Sequence, residues 1–369
     1  MKNILFVFTL LLSTLSFGQA KVNYTSIDKK MAEIPSNLTT STDSIAKYIN
    51  THFKTENDKI RAVFYWTASN ISYDVANMFA VNFEETQQDR ITKTLKTKKG
   101  ICGDYSAIFN EIATLVGVKS VVISGYTKQN GKIDNLAHAW CAAKIDNKWS
   151  IFDPTWGSGS LTNGKFVKKI NEYYFKVEPA KIISSHIPFD YLWQFLNYPI
   201  TNAEFYEGKT QINKTKKYFA FEKEIAIQSS LSEMDQLFES AERIEKNGLK
   251  NAMIVAYYEN QKKHSTVLRE NKNIEKLNGI VNEMNEAVVL LNDFIFYRNK
   301  KFKPTFPDDE INNMIQKPRE KLIKCQNDIY TVGSTGADNK ANLSSIKKSI
   351  ESNLALSEEH ALFVINYLS

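Results

Sequence analysis

The sequence predicts two units of different class, an α+β unit followed by an all-α helical bundle, and three observations carry the division. A helical pattern starting near Cys102 gives way to β-branched runs separated by two-residue turns, the order of a helix followed by antiparallel strands. All five tryptophans lie at or before Trp193. Beyond about residue 200 the chain turns rich in lysine, glutamate and asparagine, with helical periodicity almost throughout. We place the boundary at 204/205, so that residues 21–204 form the first unit, with its core at about 40–200, and residues 205–369 the second.

Residues 1–20 stand apart. Lys2 gives a positive end, Ile4 to Leu15 form a mostly apolar run, and Ser16-Phe17-Gly18-Gln19-Ala20 is small and polar, which is the order of a signal peptide. The run is too short to cross a bilayer core of ~30 Å as a helix. The expectation is export to the periplasm or the extracellular space, with the leader removed. No later stretch reaches the ~18 consecutive apolar residues of a membrane helix.

Residues 41–54 and 55–70 read as two helices, the second opened by Thr55 with Asp58 three places on and carrying Ile60 and Phe64, with Ile71 just beyond. Trp66 reads as a core aromatic. Residues 80–99 are polar and lysine-rich without a clear period and read as a surface connection. Tyr105, Ile108, Phe109, Ile112, Leu115 and Val116 then repeat at three and four residue intervals until Gly117, a natural stop. Val118 to Tyr126 is a strand, Asn130-Gly131 a turn, and Ala137 to Ile145 with Trp149 to Phe152 a hairpin around Asp146-Asn147. In the second unit Leu277, Ile280, Met284, Ala287, Leu291 and Phe294 form a heptad stripe, which predicts the buried seam of an intramolecular bundle. Pro304, Pro307 and Pro318 are expected to interrupt helices, and Val332 to Asn339 to form a link.

A chain of 369 residues with 43% hydrophobic and 24% charged content can bury a full core in each unit. The net charge of +6 is mild and the lysines are scattered among glutamates, which gives no reason to expect a nucleic-acid partner. Cys102, Cys141 and Cys325 are too few, and odd in number, for a disulfide framework. Neither zinc-ligand spacing nor a loop of alternating oxygen ligands for calcium occurs, so no metal or cofactor is expected.

The candidate chemistry centres on Cys102. At a helix start the unsatisfied backbone N–H groups and the helix dipole favour a thiolate, and the same groups can donate to the oxyanion of a tetrahedral intermediate. Gly100 and Gly103 read as making room for a substrate backbone. A cysteine alone is not a site; His138 and Asp153 complete it by parity. A two-residue turn at Asp146-Asn147 pairs residues whose numbers sum to 293, so Asp153 faces Trp140 and His138 lies two residues along on the same face. A carboxylate there can hold one imidazole nitrogen while the other meets a thiol. The same parity turns Cys141 away. Pro154 cannot continue the ladder, which leaves Asp153 on a rim. His52, His186, His264 and His360 lack comparable context.

Lys99-Gly100-Ile101-Cys102-Gly103-Asp104-Tyr105-Ser106-Ala107, then Ala137-His138-Ala139-Trp140, then Trp149-Ser150-Ile151-Phe152-Asp153-Pro154-Thr155-Trp156 together resemble the transglutaminase-like superfamily. Asp58, Ala62, Trp66, Ile71, Tyr73 and Asp74 are similar to the helix that precedes its nucleophile. Tyr173-Tyr174-Phe175, Ser185-His186-Ile187-Pro188 and Trp193-Gln194 are similar to a closing segment of its kyphoscoliosis-peptidase branch. The resemblance covers roughly residues 40–200. It implies a papain-like domain with the nucleophile helix packed on an antiparallel sheet, and catalytic Cys102, His138 and Asp153. The implied reaction is thioester chemistry on a peptide or glutamine amide, resolved by water or an amine. His186 matches a pattern of the branch and is assigned a structural role. Hydrolysis is favoured over crosslinking, because a transferase must shield its thioester from water. For an exported enzyme the substrate would be a protein or peptide, a cell-wall peptide among them; a non-catalytic peptide-binding or envelope scaffold protein is the alternative. Residues 205–369 are expected to bind a partner or control access to the cleft without supplying a catalytic residue.

Overall fold

The computed structural model describes residues 23–79 and 86–369, so the leader expected over residues 1–20 lies outside the described residues. The chain divides into two units, residues 1–188 and residues 189–369.

The first unit opens with α1 (Thr25–Ala32), α2 (Thr42–His52) and α3 (Glu56–Asn70). Thr55 Oγ1 accepts the Asp58 N–H at 3.1 Å, so the cap predicted from sequence starts α3. Ile60, Phe64 and Trp66 are fully buried along it. Arg61 is also buried, between the carboxylates of Asp28 and Glu172. β1 (Ser72–Tyr73) pairs in parallel with β2 (Lys99–Gly100), which sets Tyr73 opposite Gly100, two residues before Cys102.

The segment read as a surface connection is in part a helix. Residues 80–85 lie outside the described residues, but α4 (Gln87–Thr97) buries Ile91, Thr94 and Leu95. Its apolar stripe is two aliphatic residues and a threonine wide, too thin to show as a period among lysines and threonines.

α5 (Cys102–Leu115) buries Tyr105, Ile108, Phe109 and Ile112, and the chain leaves it through Gly117 at φ 86°. It packs against β3 (Ser120–Gln129) and β4 (Lys132–Ile145) of a four-stranded sheet. β5 (Lys148–Phe152) pairs antiparallel with β4, so the order on that side is β5-β4-β3. Both connections are two-residue turns with positive φ at each residue, Asn130-Gly131 at 49° and 78° and Asp146-Asn147 at 49° and 62°. The β4–β5 register runs from Ile145↔Lys148 to Cys141↔Phe152, every pair summing to the predicted 293. After Phe152 the chain turns away through residues 154–157. A hairpin of β6 (Gly159–Thr162) and β7 (Lys165–Lys168) follows, then α6 (Pro179–Ile182), then β8 (His186–Pro188). β8 pairs with β3 at Gly125, Tyr126 and Thr127 and completes the sheet. Gly125 has to be glycine: a Cβ would stand 2.2 Å from the Ile187 carbonyl oxygen and 2.5 Å from the Trp140 ring.

The second unit begins earlier than composition suggests. Residues 189–204 keep the aromatic character of the first unit, yet Asp190 is bound by Arg243 at 2.8 Å, and Phe189 stacks on Tyr257 with ring centroids 4.7 Å apart. Partners far along the chain tie this segment to the helices, so the division falls at Pro188/Phe189 where the sequence placed it at 204/205. α7 (Asn202–Tyr206), α8 (Phe221–Ser230), α9 (Glu233–Asn247), α10 (Ala252–Asn299), α11 (Asp308–Ile329) and α12 (Lys340–Leu368) follow. In α10, Leu277, Ile280, Ala287, Leu291 and Phe294 are buried and Met284 packs beside them, as the heptad predicts. Their partners include Ile315, Leu322 and Cys325 of α11 and Ile350, Leu354 and Val364 of α12.

Pro304 and Pro307 fall between α10 and α11, and Pro318 lies inside α11 without ending it. A proline there forfeits one helical hydrogen bond and costs on the order of 3 kcal/mol. Burial of Pro318 with Ile315 and Leu322 on one face offsets that cost. Among the described residues no helix is long and apolar enough to cross a membrane.

Candidate active site

Cys102 is the first residue of α5, half-buried, with Ile101 as the extended cap before it. The helix start is fixed by Asp104: one carboxylate oxygen accepts the Ile101 N–H at 2.8 Å and the other takes Arg90 Nη2 at 2.9 Å. The neighbouring glycines serve this clamp. A Cβ on Gly100 would lie 2.7 Å from Asp104 Cβ, and one on Gly103 2.8 Å from Arg90 Nη2. The space assigned from sequence to a substrate backbone is space the clamp requires.

His138 sits on β4 opposite Gly125, and its Nε2 meets Asp153 Oδ2 at 2.7 Å. The other ring nitrogen is left for Cys102, whose thiolate is favoured by the neighbouring His138 side chain and the backbone N–H of Ala139. Asp153 is held from the far side as well. Its Oδ1 accepts the N–H groups of Thr155 at 2.9 Å and Trp156 at 3.0 Å, which the turn begun by Pro154 aims back at it. The structure thus joins His138 and Asp153 by a direct hydrogen bond and sets Cys102 near enough for its charge and that of His138 to act on each other.

Charge follows geometry. Burial acts to raise the Cys102 thiol, but the neighbouring His138 ring with its charge, and the Ala139 N–H, outweigh it and hold the thiol below its ordinary value. Burial disfavours protonated His138, yet Asp153 and Cys102 together push it up to about 10. Burial would raise Asp153; its two histidine partners hold it below the usual carboxylate range. The three shifts describe a thiolate–imidazolium pair oriented by a carboxylate. The other cysteines go the opposite way: Cys141, buried with its sulfur 3.4 Å from the Ser106 carbonyl, is raised well above the ordinary value, and burial raises Cys325.

Sequence reasoning missed the second partner of Asp153. His186, assigned no more than a structural role, is buried with its Nε2 3.2 Å from the same Oδ2 that holds His138. β8 brings it there by pairing with the free edge of β3, and so sets His186 against an acid 33 residues earlier in the chain, which no local pattern encodes. The available signals were the match of Ser185-His186-Ile187-Pro188 to the branch pattern and a histidine beside Ile187-Pro188, which has the look of an edge strand. His138, Asp153 and His186 have the atom types of a cation site, all within 4.8 Å of one another. Both Nε2 atoms point at one oxygen, however, and the group satisfies itself as a hydrogen-bonded network.

Beside His138 lies a cavity of about 330 Å³, walled by Tyr73, Trp156, Tyr174, Leu161 and Phe166 with Thr155 and Asn171 at its polar side. Burial, then the negative charge of Cys102, Asp104 and Asp153, pushes the Tyr73 hydroxyl up to about 12, so it enters the cavity wall as a neutral group.

A helix-borne cysteine, a strand-borne histidine and a carboxylate just past the next strand, in that chain order, define the class of papain-like thiol folds. Residues 43–154 match the family described as the Transglutaminase-like superfamily, and that segment is a transglutaminase-like domain. Kyphoscoliosis peptidase of Mus musculus is 33% identical over 156 residues, covering 40% of this chain and 23% of that protein. The Homo sapiens peptidase is 33% identical over 159 residues, covering 41% and 24%. Hillarin of Drosophila melanogaster is 26% identical over 171 residues, covering 41% of this chain and 20% of its own. The chain therefore spans about a quarter of the length of the two peptidases it matches. A solved TGase structure is 19% identical, covering 44% of this chain and 40% of that one, with a TM-score of 0.26.

Proposed function

We propose that the protein is an exported cysteine hydrolase that cleaves peptide or glutamine amide bonds of protein or peptide substrates through a thioester on Cys102. The observation that carries this reading is the His138 Nε2–Asp153 Oδ2 hydrogen bond at 2.7 Å, which leaves the other ring nitrogen free to act on Cys102 at the start of α5, whose thiol His138 lowers. In it the Cys102 thiolate attacks the amide carbonyl, and the oxyanion forms against the N–H groups at the start of α5. Protonated His138 gives its proton to the departing amine, and the C–N bond breaks. A water then loses a proton to His138 and attacks the thioester, releasing the acid and restoring the thiolate–imidazolium pair. Asp153 keeps its charge throughout and fixes the imidazole tautomer. Water is the acceptor because nothing in the sequence marks a shield around the thioester. The leader pattern of residues 1–20 supports export, and a cell-wall peptide is among the substrates an exported enzyme meets.

The test is an active-site thiol titration of the folded protein with Cys102→Ala as control, followed by incubation with denatured protein or cell-wall peptides and mass spectrometry of the products. The reading expects one fast-reacting thiol, lost in Cys102→Ala, and new carboxyl termini or glutamine converted to glutamate. An unreactive Cys102 in folded protein would sink it, and amine-linked products in place of hydrolysis would reassign the acceptor.

A further inference from the structure

In the reaction outlined above Asp153 Oδ2 holds His138, and His186 contacts that same oxygen. We propose that His186 is a positioning residue which, as a neutral imidazole, donates its Nε2–H to Asp153 Oδ2 and takes up part of the charge that the same oxygen offers to His138. The inference rests on the reading of Cys102, His138 and Asp153 as the reacting line, and it adds a fourth member.

The geometry fixes the tautomer. A carboxylate oxygen 3.2 Å from Nε2 requires a proton between them, so Nε2 carries it. On the other side Ser185 Oγ lies 2.8 Å from Nδ1 and 3.2 Å from the Ile182 carbonyl. With Nδ1 unprotonated, the serine hydroxyl donates to the ring by the shorter contact, and that bond makes Nε2–H the better donor to Asp153. The ring cannot turn to escape this arrangement. Its centroid is 4.6 Å from that of Trp156, 5.2 Å from that of Trp140 and 6.0 Å from that of Tyr174.

The groups that face His186 are His138 and Asp134 of β4, Asp153 beyond β5, and Tyr174 before α6. Burial, and behind it the positive charge of His138, hold His186 below its ordinary value despite Asp153 and Asp134, so it stays uncharged beside the His138 imidazolium. A second cation there would compete for one carboxylate. A neutral donor spreads the carboxylate charge without doing so. The consequence falls on His138. A general acid must release its proton, and a carboxylate that gave all its charge to His138 would hold that proton more tightly than the reaction wants.

The experiment is an NMR titration of the ring nitrogens in the full-length chain labelled at its histidines, in a Cys102→Ala background so that no thiolate holds the imidazolium. We expect His186→Phe, which keeps an aromatic ring and removes the donor, to raise the His138 pKa by about one unit. His186→Gln, which restores an N–H near the Nε2 position, should return most of that shift. Ser185→Ala, a mild change at a half-buried site, should move His138 in the same direction by less, and it keeps the test open where His186→Phe does not fold. A His138 pKa that is unchanged or lowered in these variants would overturn the proposal. So would a His186→Gln protein as shifted as His186→Phe, since the ring would then matter as packing alone. Alkylation of Cys102 by iodoacetamide in the otherwise unaltered chain reports separately on the catalytic reading, so the two can fail independently.

Discussion

The two units bury different things. The first encloses charge: Arg61 between Asp28 and Glu172, and Asp153 between His138 and His186, all at positions no simple period marks. In the second, the apolar stripe of α10 meets those of α11 and α12, with one buried ion pair, Arg243–Asp190, near its start. Buried charge has to be matched group by group, whereas an apolar seam needs the right spacing and volume. The proposed chemistry falls in the unit whose interior is specific, and the cysteines show the contrast between the units most directly. Cys102 is lowered by His138, while Cys141 and Cys325 are raised by burial.

The largest contrast to test is between those cysteines. At neutral pH iodoacetamide should alkylate Cys102 roughly 100-fold faster than Cys141 or Cys325, read as the site of first modification in digested protein. His138→Ala should remove most of that advantage. With iodoacetate, whose own charge favours an adjacent imidazolium, the rate should rise as pH passes the lowered thiol value and fall again toward pH 10, where His138 gives up its proton. The signs follow from the pair: the thiolate requires pH above its own value, and the imidazolium requires pH below its own. Equal labelling of Cys102 and Cys325 would erase the distinction between the units.

A second contrast compares what each interior costs when cut. Arg61→Met leaves Asp28 and Glu172 without their shared cation, and a loss of about 2 to 3 kcal/mol is expected. Leu291→Ala opens a cavity in the seam and should cost about 3 kcal/mol. Their readouts separate, because of five tryptophans only Trp193 lies beyond residue 188. Arg61→Met should shift the denaturant midpoint seen by tryptophan fluorescence, and Leu291→Ala the one seen by far-ultraviolet circular dichroism. A Leu291→Ala protein that also lost Cys102 alkylation would show that the second unit supports the site.

What the sequence disclosed divides along the same line. The α10 seam, the start of α5 and the β4–β5 register were legible because each rests on local spacing: a heptad, a glycine-flanked helix start, a two-residue turn that fixes which residues face each other. The register alone was enough to bring His138 and Asp153 to one face. Arg61 with Asp28 and Glu172, Asp190 with Arg243, and His186 with Asp153 were not legible, since each joins segments 33 to 111 residues apart. α4 was hidden for a different reason, the thinness of its buried stripe, and Pro318 misled because helix packing outweighed its local preference.

The smallest predicted effect concerns a device the two units share. Thr55 opens α3 by accepting the Asp58 N–H at 3.1 Å, and Ser232 opens α9 by accepting the Asp235 N–H at 3.3 Å. Both are hydroxyl caps with an acid three residues on, and both helices are 15 residues long. The local chemistry is the same although the interiors differ, so Thr55→Ala and Ser232→Ala should cost about 1 kcal/mol each, below either interior substitution. Thr55→Ala should move the fluorescence midpoint and Ser232→Ala the circular dichroism midpoint, by similar amounts. A Thr55→Ala loss as large as that of Arg61→Met would mean that the end of α3 is coupled to the buried charge cluster within it. The contrast between the units would then extend from their interiors to their helix ends.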